Sequence, residues 1–306
     1  MAGLYRAFRR RNRNVSNYGA PVMCLDAGSL TSYSGSGTTW TDLSTNATNA
    51  TLVNSPTYNS NNFGYLTFNG STTYADTTVK LFTTQQFTVT FWINVTTFNG
   101  TVCSGAVSNS SYSIFGATSN YQGFTNTFSA CVQTGASANS VGTVNQSNYS
   151  TGVWYHYCAV YDGTQASNAT KLLLYINAVS KTLTYDAAVP TTPYNNLSNT
   201  RVGYGVGGSY PYLNGSISSV MYYTRAWTAT EVSTYYEMTR GRYAGATTTT
   251  AAPTSTTTAA PTSTTTSAPT STTTTAPTSS TTSAPSSTTT TSPSTTVTTT
   301  VAAGAG

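Results

Sequence analysis

The sequence predicts an all-β fold, an antiparallel two-sheet jelly-roll sandwich that ends in a short helix and precedes a disordered Thr/Ser/Pro-rich tail. Short segments alternate apolar and polar residues, clusters of Gly, Asn and Ser separate them, and only one stretch carries helical signals. Many short strands with turns between them are typical of sandwiches and barrels. We therefore expect a basic arm (residues 1–16), a sandwich domain (residues 17–245) and a low-complexity tail (residues 246–306).

The basic arm carries the net charge of the chain. Charged residues make up 6% of the sequence, and the formal net charge is +5. The acidic and basic residues of the remaining chain balance. The five arginines near the N-terminus are Arg6, Arg9, Arg10, Arg11 and Arg13. The arm could meet an acidic surface, nucleic acid or a partner subunit, or be a solvated disordered segment. No apolar run of signal-peptide or membrane-span length follows it, so we expect neither segment and no membrane insertion.

Three segments give the clearest strand signals. "FTVTFWINV" (residues 87–95) alternates apolar residues on one face with mostly polar residues on the other. "VWYHYCAVYDG" (residues 153–163) is an aromatic strand that ends in an Asp-Gly turn, and "KLLLYINAV" (residues 171–179) follows it. Shorter strands are "VMCLDAG" and "YLTFNG". A body of about 225 residues can bury a sizeable core without help.

The predicted helix lies in "TATEVSTYYEM" (residues 228–238). Thr228 and Glu231 have the spacing of a capping box, in which each side chain bonds to the backbone N–H of the other residue. The helix contains both glutamates of the chain, Glu231 and Glu237. We interpret Glu231 as a structural cap and Glu237 as a polar residue on the same short helix.

The tail repeats with a period of eight residues, which is set by the prolines from Pro253 to Pro293. No large apolar side chain recurs in it, so it cannot bury a core, and regular proline blocks continuous sheet pairing. One interpretation is a mucin-like stalk or spacer that is O-glycosylated at Thr and Ser. The alternatives are an unmodified flexible linker and a Thr-rich fibre built from several chains.

The cysteines do not have the spacing of a metal site. No C-x-x-C pair occurs, and the single His156 cannot complete a zinc cluster. Each cysteine lies in an apolar, strand-like segment, where cysteine behaves as a small hydrophobe. We expect buried thiols; if a bridge forms, we expect it between Cys103 and Cys131.

Four segments in order resemble one family, the laminin-G-like, concanavalin A-like lectin/glucanase superfamily. They are the opening loop and F-x-G strand (residues 25–76), the strand at residues 87–95, the hairpin at residues 154–179 and the closing strand and helical turn at residues 214–236. The resemblance covers residues 22 to about 237. It implies a jelly-roll domain in which Trp154 and His156 are structural. The opening segment is most similar to versions carried by structural proteins of bacteriophages and other viruses.

The chain departs from the family pattern where some members bind calcium. Asn69, Thr73, Ser218 and Ser219 stand where the family often has aspartate. Each lost carboxylate weakens a calcium site. We therefore expect no cofactor, with calcium as the weakly supported alternative.

The acidic residues do not match a glycosidase. The glucanase branch of the resembled family carries Glu-x-Asp-x-x-Glu on one strand, whereas no glutamate precedes Glu231 here. A retaining mechanism needs two carboxyl groups about 5–5.5 Å apart, and an inverting one needs about 6.5–9.5 Å. The five aspartates are far apart in sequence and would meet only through the fold. We expect no catalytic residue and no enzyme.

Binding in a nearly neutral body depends on aromatic side chains and amides, the groups that meet sugars by stacking and neutral hydrogen bonds. The candidate ligand-binding residues are the loop tyrosines Tyr121, Tyr210 and Tyr212. Each could instead only anchor its loop.

We therefore expect a non-enzymatic module on a virion surface or outside the cell. It would bind glycans or host-surface polysaccharide and contact other virion subunits through the arm, as a monomer or a homo-oligomer. Two alternatives stay open, a structural decoration or fibre subunit without free-ligand affinity and a cell-surface adhesin.

Overall fold

The computed structural model describes residues 18–108, 111–118, 123–133, 139–145, 148–194, 199–205 and 211–243. The basic arm and the tail lie outside these residues, as do Tyr121 and Tyr210. No helix in the described part of the chain is long and apolar enough to cross a membrane.

The described residues contain mainly β-structure. The strands are β1 (Met23–Asp26), β2 (Thr39–Trp40), β3 (Ala50–Val53), β4 (Thr57–Asn59), β5 (Tyr65–Asn69), β6 (Tyr74–Thr77), β7 (Gln86–Thr97), β8 (Gly100–Ser108), β9 (Ser111–Thr118), β10 (Thr127–Gln133), β11 (Asn139–Val144), β12 (Trp154–Asp162), β13 (Leu172–Ile176), β14 (Val179–Lys181), β15 (Leu183–Tyr185), β16 (Thr200–Val202) and β17 (Asn214–Tyr223). The helices are α1 (Asn168–Lys171) and α2 (Ala229–Thr239), with 3-10 turns at Asn61–Phe63 and Arg240–Arg242.

Two antiparallel sheets form the sandwich, which confirms the predicted fold class. The first sheet has the order β14-β13-β12-β7-β17-β5-β4. Strand β17 is long enough to pair with β7 on one edge and with two strands on the other, β5 along residues 214–217 and β1 along residues 219–222. The second sheet has the order β15-β11-β10-β9-β8-β16-β6-β3-β2.

The main core lies between the inner faces of the two sheets. Strand β7 directs its alternate apolar residues, from Phe87 to Val95, into this core. Phe87 stacks on Tyr161 and Tyr222, with ring centroids 4.9 and 5.7 Å apart, and Phe115 of the second sheet meets Phe87 at 5.9 Å. Aromatic packing across the layers therefore joins the two sheets.

Helix α2 covers part of the outer face of the first sheet. Its buried residues Val232 and Tyr235 belong to a second apolar cluster that includes Trp227 and Cys158. Trp92, on the outer face of β7, donates from Nε1 to Thr239 Oγ1 at 2.9 Å. The helix therefore buries the outer face of β7, whose inner face is already buried in the main core.

The capping box starts helix α2. Thr228 Oγ1 accepts from the N–H of Glu231, and the carboxylate of Glu231 accepts from the N–H of Thr228 at 2.7 Å. Glu231 also forms an ion pair with Arg225, whose Nε donates to the carbonyl of Tyr18 at 2.9 Å. The cap therefore links the helix to the preceding turn and to the first described residue.

The four cysteines are buried thiols, as expected, and the structure does not bring Cys103 and Cys131 together for the alternative bridge, because the two residues lie on different strands and different faces. Cys103 of β8 is opposite Phe115 of β9, and Cys131 of β10 is opposite Ile114 of the same strand. Two strand spacings of about 4.8 Å separate the cysteines, beyond the roughly 4.4–6.8 Å between the Cα atoms of a disulfide. Cys103 and Ala130 belong to the core cluster, whereas Cys131, the next residue after Ala130, points to the outer face. Burial raises the pKa of the Cys103 thiol.

Candidate functional site

A cluster of tyrosines lies on the outer face of the second sheet. In β6, Ala75 and Thr77 are buried, so the alternation of the strand turns Tyr74 and Asp76 outward. In β16, Arg201 lies between two buried residues and also points outward. Asp76 and Arg201 are direct cross-strand partners. The sheet register therefore brings together an aromatic ring, a carboxylate and a guanidinium.

The loop after β16 adds two tyrosines to this face. Its ends are held together by a hydrogen bond of 2.9 Å from the N–H of Leu213 to the carbonyl of Gly203. Tyr204 and Tyr212 lie just inside that pair, and their rings stack with centroids 4.1 Å apart and an interplanar angle of 13°. Tyr74 meets Tyr204 at 5.4 Å and Tyr212 at 6.2 Å. We call Tyr74, Tyr204 and Tyr212 the tyrosine platform.

An ion pair borders the tyrosine platform. Arg201 Nε donates to Asp76 Oδ2 at 3.2 Å, and the two side chains are 27% and 29% exposed. The guanidinium carbon lies 5.3 Å from the ring centroid of Tyr74 and 5.5 Å from that of Tyr204, within cation–π distance. The other carboxylate oxygen, Asp76 Oδ1, is buried and has no hydrogen-bond partner in the described part of the chain.

The electrostatics of the platform act on the phenol of Tyr212. Burial raises the pKa of Tyr212, and the neighbouring Tyr204 raises it further. The three tyrosines are half-buried. The site thus offers partly exposed aromatic rings, hydroxyl groups and a compensated ion pair.

Of the predicted ligand residues, the structure describes only Tyr212, and it places that residue in the platform. Tyr121 and Tyr210 lie outside the described residues. Sequence reasoning missed Tyr74 and Tyr204. For Tyr74 a signal was present, because the alternation in "YADT" puts Tyr74 and Asp76 on one face.

The acidic side chains outside the platform have structural partners. Asp42 accepts from the backbone N–H groups of Cys24, Ser44 and Thr48 and so organises its loop. Asp162 accepts from Thr164 and Gln165 within a turn. Three further ion pairs among the described residues join Asp26 to Arg242, Glu231 to Arg225 and Glu237 to Arg240.

His156 lies in the buried layer under helix α2. It is fully buried, and its ring packs 5.3 Å from those of Trp92 and Tyr235. Its Nε2 lies 2.7 Å from Thr90 Oγ1, while Nδ1 has no hydrogen-bond partner among the described residues. Burial lowers the pKa of His156 to about 3. A ring so placed is neutral and enclosed.

Trp154 occupies a different position, half-buried on the outer face of the first sheet. Its ring meets those of Tyr65 and Tyr243 at centroid distances of 5.3 and 5.0 Å. It therefore packs against the closing segment of the sandwich, on the opposite side of the molecule from the tyrosine platform.

Three of the four positions where the family often has aspartate form internal hydrogen bonds, whereas Ser219 Oγ is buried without a hydrogen-bond partner in the described part of the chain. Asn69 Oδ1 accepts from the backbone N–H groups of Ser71, Thr72 and Thr73 and closes that loop. Ser218 Oγ donates to the carbonyl of Gly64 at 2.7 Å. The described residues contain no group of three or more His, Cys, Asp or Glu side chains that could hold a metal ion.

Two antiparallel sheets with an outward-facing aromatic site define a β-sandwich of the jelly-roll class. The chain belongs to the concanavalin A-like lectin/glucanases superfamily, whose family model matches residues 69–233, more than half of the sequence. No curated protein matches the chain.

Solved structures share the fold at low sequence identity. Domain 4 of AbnA, an extracellular arabinanase from Geobacillus stearothermophilus solved with arabinotriose, has a TM-score of 0.55 and 15% identity over 71% of this chain and 98% of that domain. A structure of botulinum neurotoxin type C, whose cell entry depends on two ganglioside molecules, has a TM-score of 0.52 and 12% identity over 73% of this chain. The binding domain of botulinum neurotoxin DC with rat synaptotagmin II gives a TM-score of 0.52 and 12% identity over 72%. The chain spans about half the length of each neurotoxin structure, 52% in both cases.

Proposed function

We propose that the sandwich domain is a carbohydrate-binding module and that the tyrosine platform is its saccharide site. The observation that carries this proposal is the stacked pair Tyr204 and Tyr212, held beside Tyr74 on the outer face of the second sheet. Aromatic rings present flat apolar surfaces to the C–H faces of sugars, while hydroxyl and charged groups at their edge accept or donate hydrogen bonds. The platform combines both with the Arg201–Asp76 pair.

Two structural neighbours support a saccharide ligand. Domain 4 of AbnA was solved with arabinotriose, and the type C neurotoxin depends on gangliosides for cell entry. At 15% and 12% identity these likenesses concern the fold and do not identify the residues that bind sugar in this chain.

The module binds without cleaving its ligand. A glycosidase needs one carboxyl group that donates a proton and a second that is free to act as base or nucleophile. At the platform, Asp76 stands with Arg201, and the carboxylates of Glu231 and Glu237 cap or brace helix α2. Incubating the full-length protein with any polysaccharide it binds should therefore release no reducing ends.

The module would be displayed on a virion surface or outside the cell, tethered by the basic arm or by the Thr/Ser/Pro tail. The support is the arginine-rich sequence of residues 1–16 and the octapeptide repeat of residues 246–306. If the arm contacts other virion subunits, deleting residues 1–16 abolishes incorporation into particles. Unchanged incorporation would refute that role for the arm.

A glycan array probed with the full-length protein tests the saccharide site. We expect binding to a defined set of oligosaccharides that Tyr204→Ala weakens by about tenfold or more, because it removes half of the stacked pair. The control is Tyr65→Ala, since Tyr65 is also half-buried and also touches another aromatic ring, but lies on the opposite sheet. A full array without binding, or equal loss in both variants, would refute the site and favour a purely structural subunit.

A further inference from the structure

We infer that the tyrosine platform selects charge-neutral saccharides with adjacent hydroxyl groups and discriminates against acidic saccharides. The inference rests on the proposed function and concerns the class of ligand at the same site. It follows from the hydrogen-bonding groups of the Arg201–Asp76 pair that have no partner among the described residues and from the charge balance of the pair.

The pair has hydrogen-bonding capacity to spare. Arg201 uses Nε for Asp76, and its Nη groups make no hydrogen bond to the described residues. Asp76 uses Oδ2 for Arg201, while Oδ1 lacks a donor within the described part of the chain. A carboxylate oxygen without a donor costs free energy, which a ligand hydroxyl recovers once the carboxyl group turns that oxygen outward.

Two neighbouring hydroxyls of one sugar would use this free hydrogen-bonding capacity. One hydroxyl donates to the carboxylate of Asp76, and the next accepts from an Nη group of Arg201. Asp76 is 29% exposed, and the terminal torsion of aspartate is broad, so either oxygen can turn to the ligand. The rings of Tyr74 and Tyr204, which already lie next to the guanidinium, would then meet the sugar face.

The charge balance acts against acidic sugars. A ligand carboxylate or sulfate could reach Arg201 only beside the carboxylate of Asp76, and like charges at such distances repel. The charge of Arg201 is also already compensated by Asp76, whose Oδ2 lies 3.2 Å from Nε. The remaining sandwich offers no net positive field, because beyond the arm the acidic and basic residues balance.

Paired ligands test the inference with the full-length protein. The probes are neutral arabino-, xylo-, gluco- and galacto-oligosaccharides together with uronic acid and sulfated counterparts of the same length, measured by array and then by calorimetry. We expect the neutral member of each bound pair to bind about tenfold more tightly than its acidic counterpart. Asp76→Asn should weaken the binding of neutral saccharides by about tenfold, since it removes the charged acceptor. It should also reduce the difference in affinity between neutral and acidic saccharides, since it leaves the charge of Arg201 uncompensated.

The control variant is Glu237→Gln, which removes a carboxylate from an exposed ion pair on helix α2 and should leave both affinities unchanged. Equal or tighter binding of the acidic counterparts by the natural protein would overturn the inference while the saccharide site stands. Unchanged neutral binding by a folded Asp76→Asn variant would also overturn it. No binding to either class would instead remove the proposed function itself. If Asp76→Asn does not fold, the comparison of ligand pairs on the natural protein still decides.

Discussion

Arg242 forms a two-pronged ion pair with Asp26, which precedes it by 216 residues. Its Nη2 donates to Oδ1 at 3.1 Å, and its Nη1 donates to Oδ2 at 3.3 Å. The Asp26 side chain is 0% exposed and that of Arg242 is 11% exposed. Arg242 also donates to Ser218 Oγ at 3.1 Å, in the neighbouring strand β17. One cation thus joins the first strand, the last strand and the closing 3-10 turn.

Removing this cation should destabilise the sandwich strongly. In Arg242→Ala the carboxylate of Asp26 stays buried without its counter-charge, and breaking a buried pair on one side costs about 3–5 kcal/mol. Urea unfolding of the full-length protein measures the loss. The control is Arg240→Ala, whose pair with Glu237 is more than half exposed at 55% and 56% and should cost less than about 1 kcal/mol. Equal losses in the two variants would contradict the structural role of Arg242.

The fold was accessible from sequence because its signals are local. Alternation in residues 87–95 identified the central strand β7, and the Thr228–Glu231 spacing identified the start of helix α2. Both depend on residues within about one strand or one helical turn of each other. Such patterns also sufficed to indicate the two-sheet class.

The candidate site was less accessible because it depends on strand register. Tyr74 and Tyr204 meet only because β6 and β16 pair, and nothing near either residue specifies that pairing. The cysteines illustrate the same limit. Sequence spacing did not reveal that β9 separates Cys103 from Cys131 or that they face opposite sides.

The loop that carries the stacked tyrosines depends on Gly203. This residue has φ of +86°, and a Cβ atom there would lie 2.7 Å from the ring of Phe68. Gly203→Ala therefore adds a collision with a buried ring to the cost of a left-handed backbone, together about 2–4 kcal/mol. Because Gly203 also closes the loop with Leu213, we expect weaker saccharide binding by the variant as well.

The variant Gly152→Ala separates the cost of the left-handed backbone from the cost of the collision with Phe68. Gly152 also has a positive φ, +75°, but a Cβ atom there meets nothing within 4 Å. Gly152→Ala should lower the free energy of unfolding by only about 1–2 kcal/mol and leave saccharide binding unchanged. Equal unfolding free energies for the two variants in urea would show that the contact with Phe68 contributes nothing.

The capping box should contribute measurably to stability. Thr228→Ala removes the side chain that accepts from the N–H of Glu231 and should cost about 1 kcal/mol. Thr230→Ala is the matched control, because Thr230 is an exposed threonine inside the same first turn, where alanine is the better helix former. Chemical denaturation of both variants tests this, and a loss for Thr230→Ala as large as that for Thr228→Ala would contradict it.

The stability of the sandwich should also depend on the protonation of His156. Thr90 Oγ1 donates to the carbonyl of Tyr157 at 3.1 Å, so its oxygen accepts from Nε2–H of the histidine. The neutral ring is then protonated at Nε2, and a second proton on Nδ1 would find no acceptor among the described residues. This arrangement is the structural reason why the folded protein resists protonation of the ring.

Acidification should therefore weaken the fold below about pH 6.5. Burial lowers the pKa of His156 from 6.5 to about 3, so the unfolded chain takes up a proton that the folded chain refuses between these values. The free energy of unfolding is unaffected above pH 6.5 and falls by up to about 1.4 kcal/mol per pH unit below it. Because His156 is the only histidine, urea unfolding between pH 6.5 and 5 isolates its effect from the carboxylates. The His156→Asn variant should show a flatter profile over that interval. An NMR signal of the folded ring that titrates near pH 6.5 would contradict the enclosed neutral state.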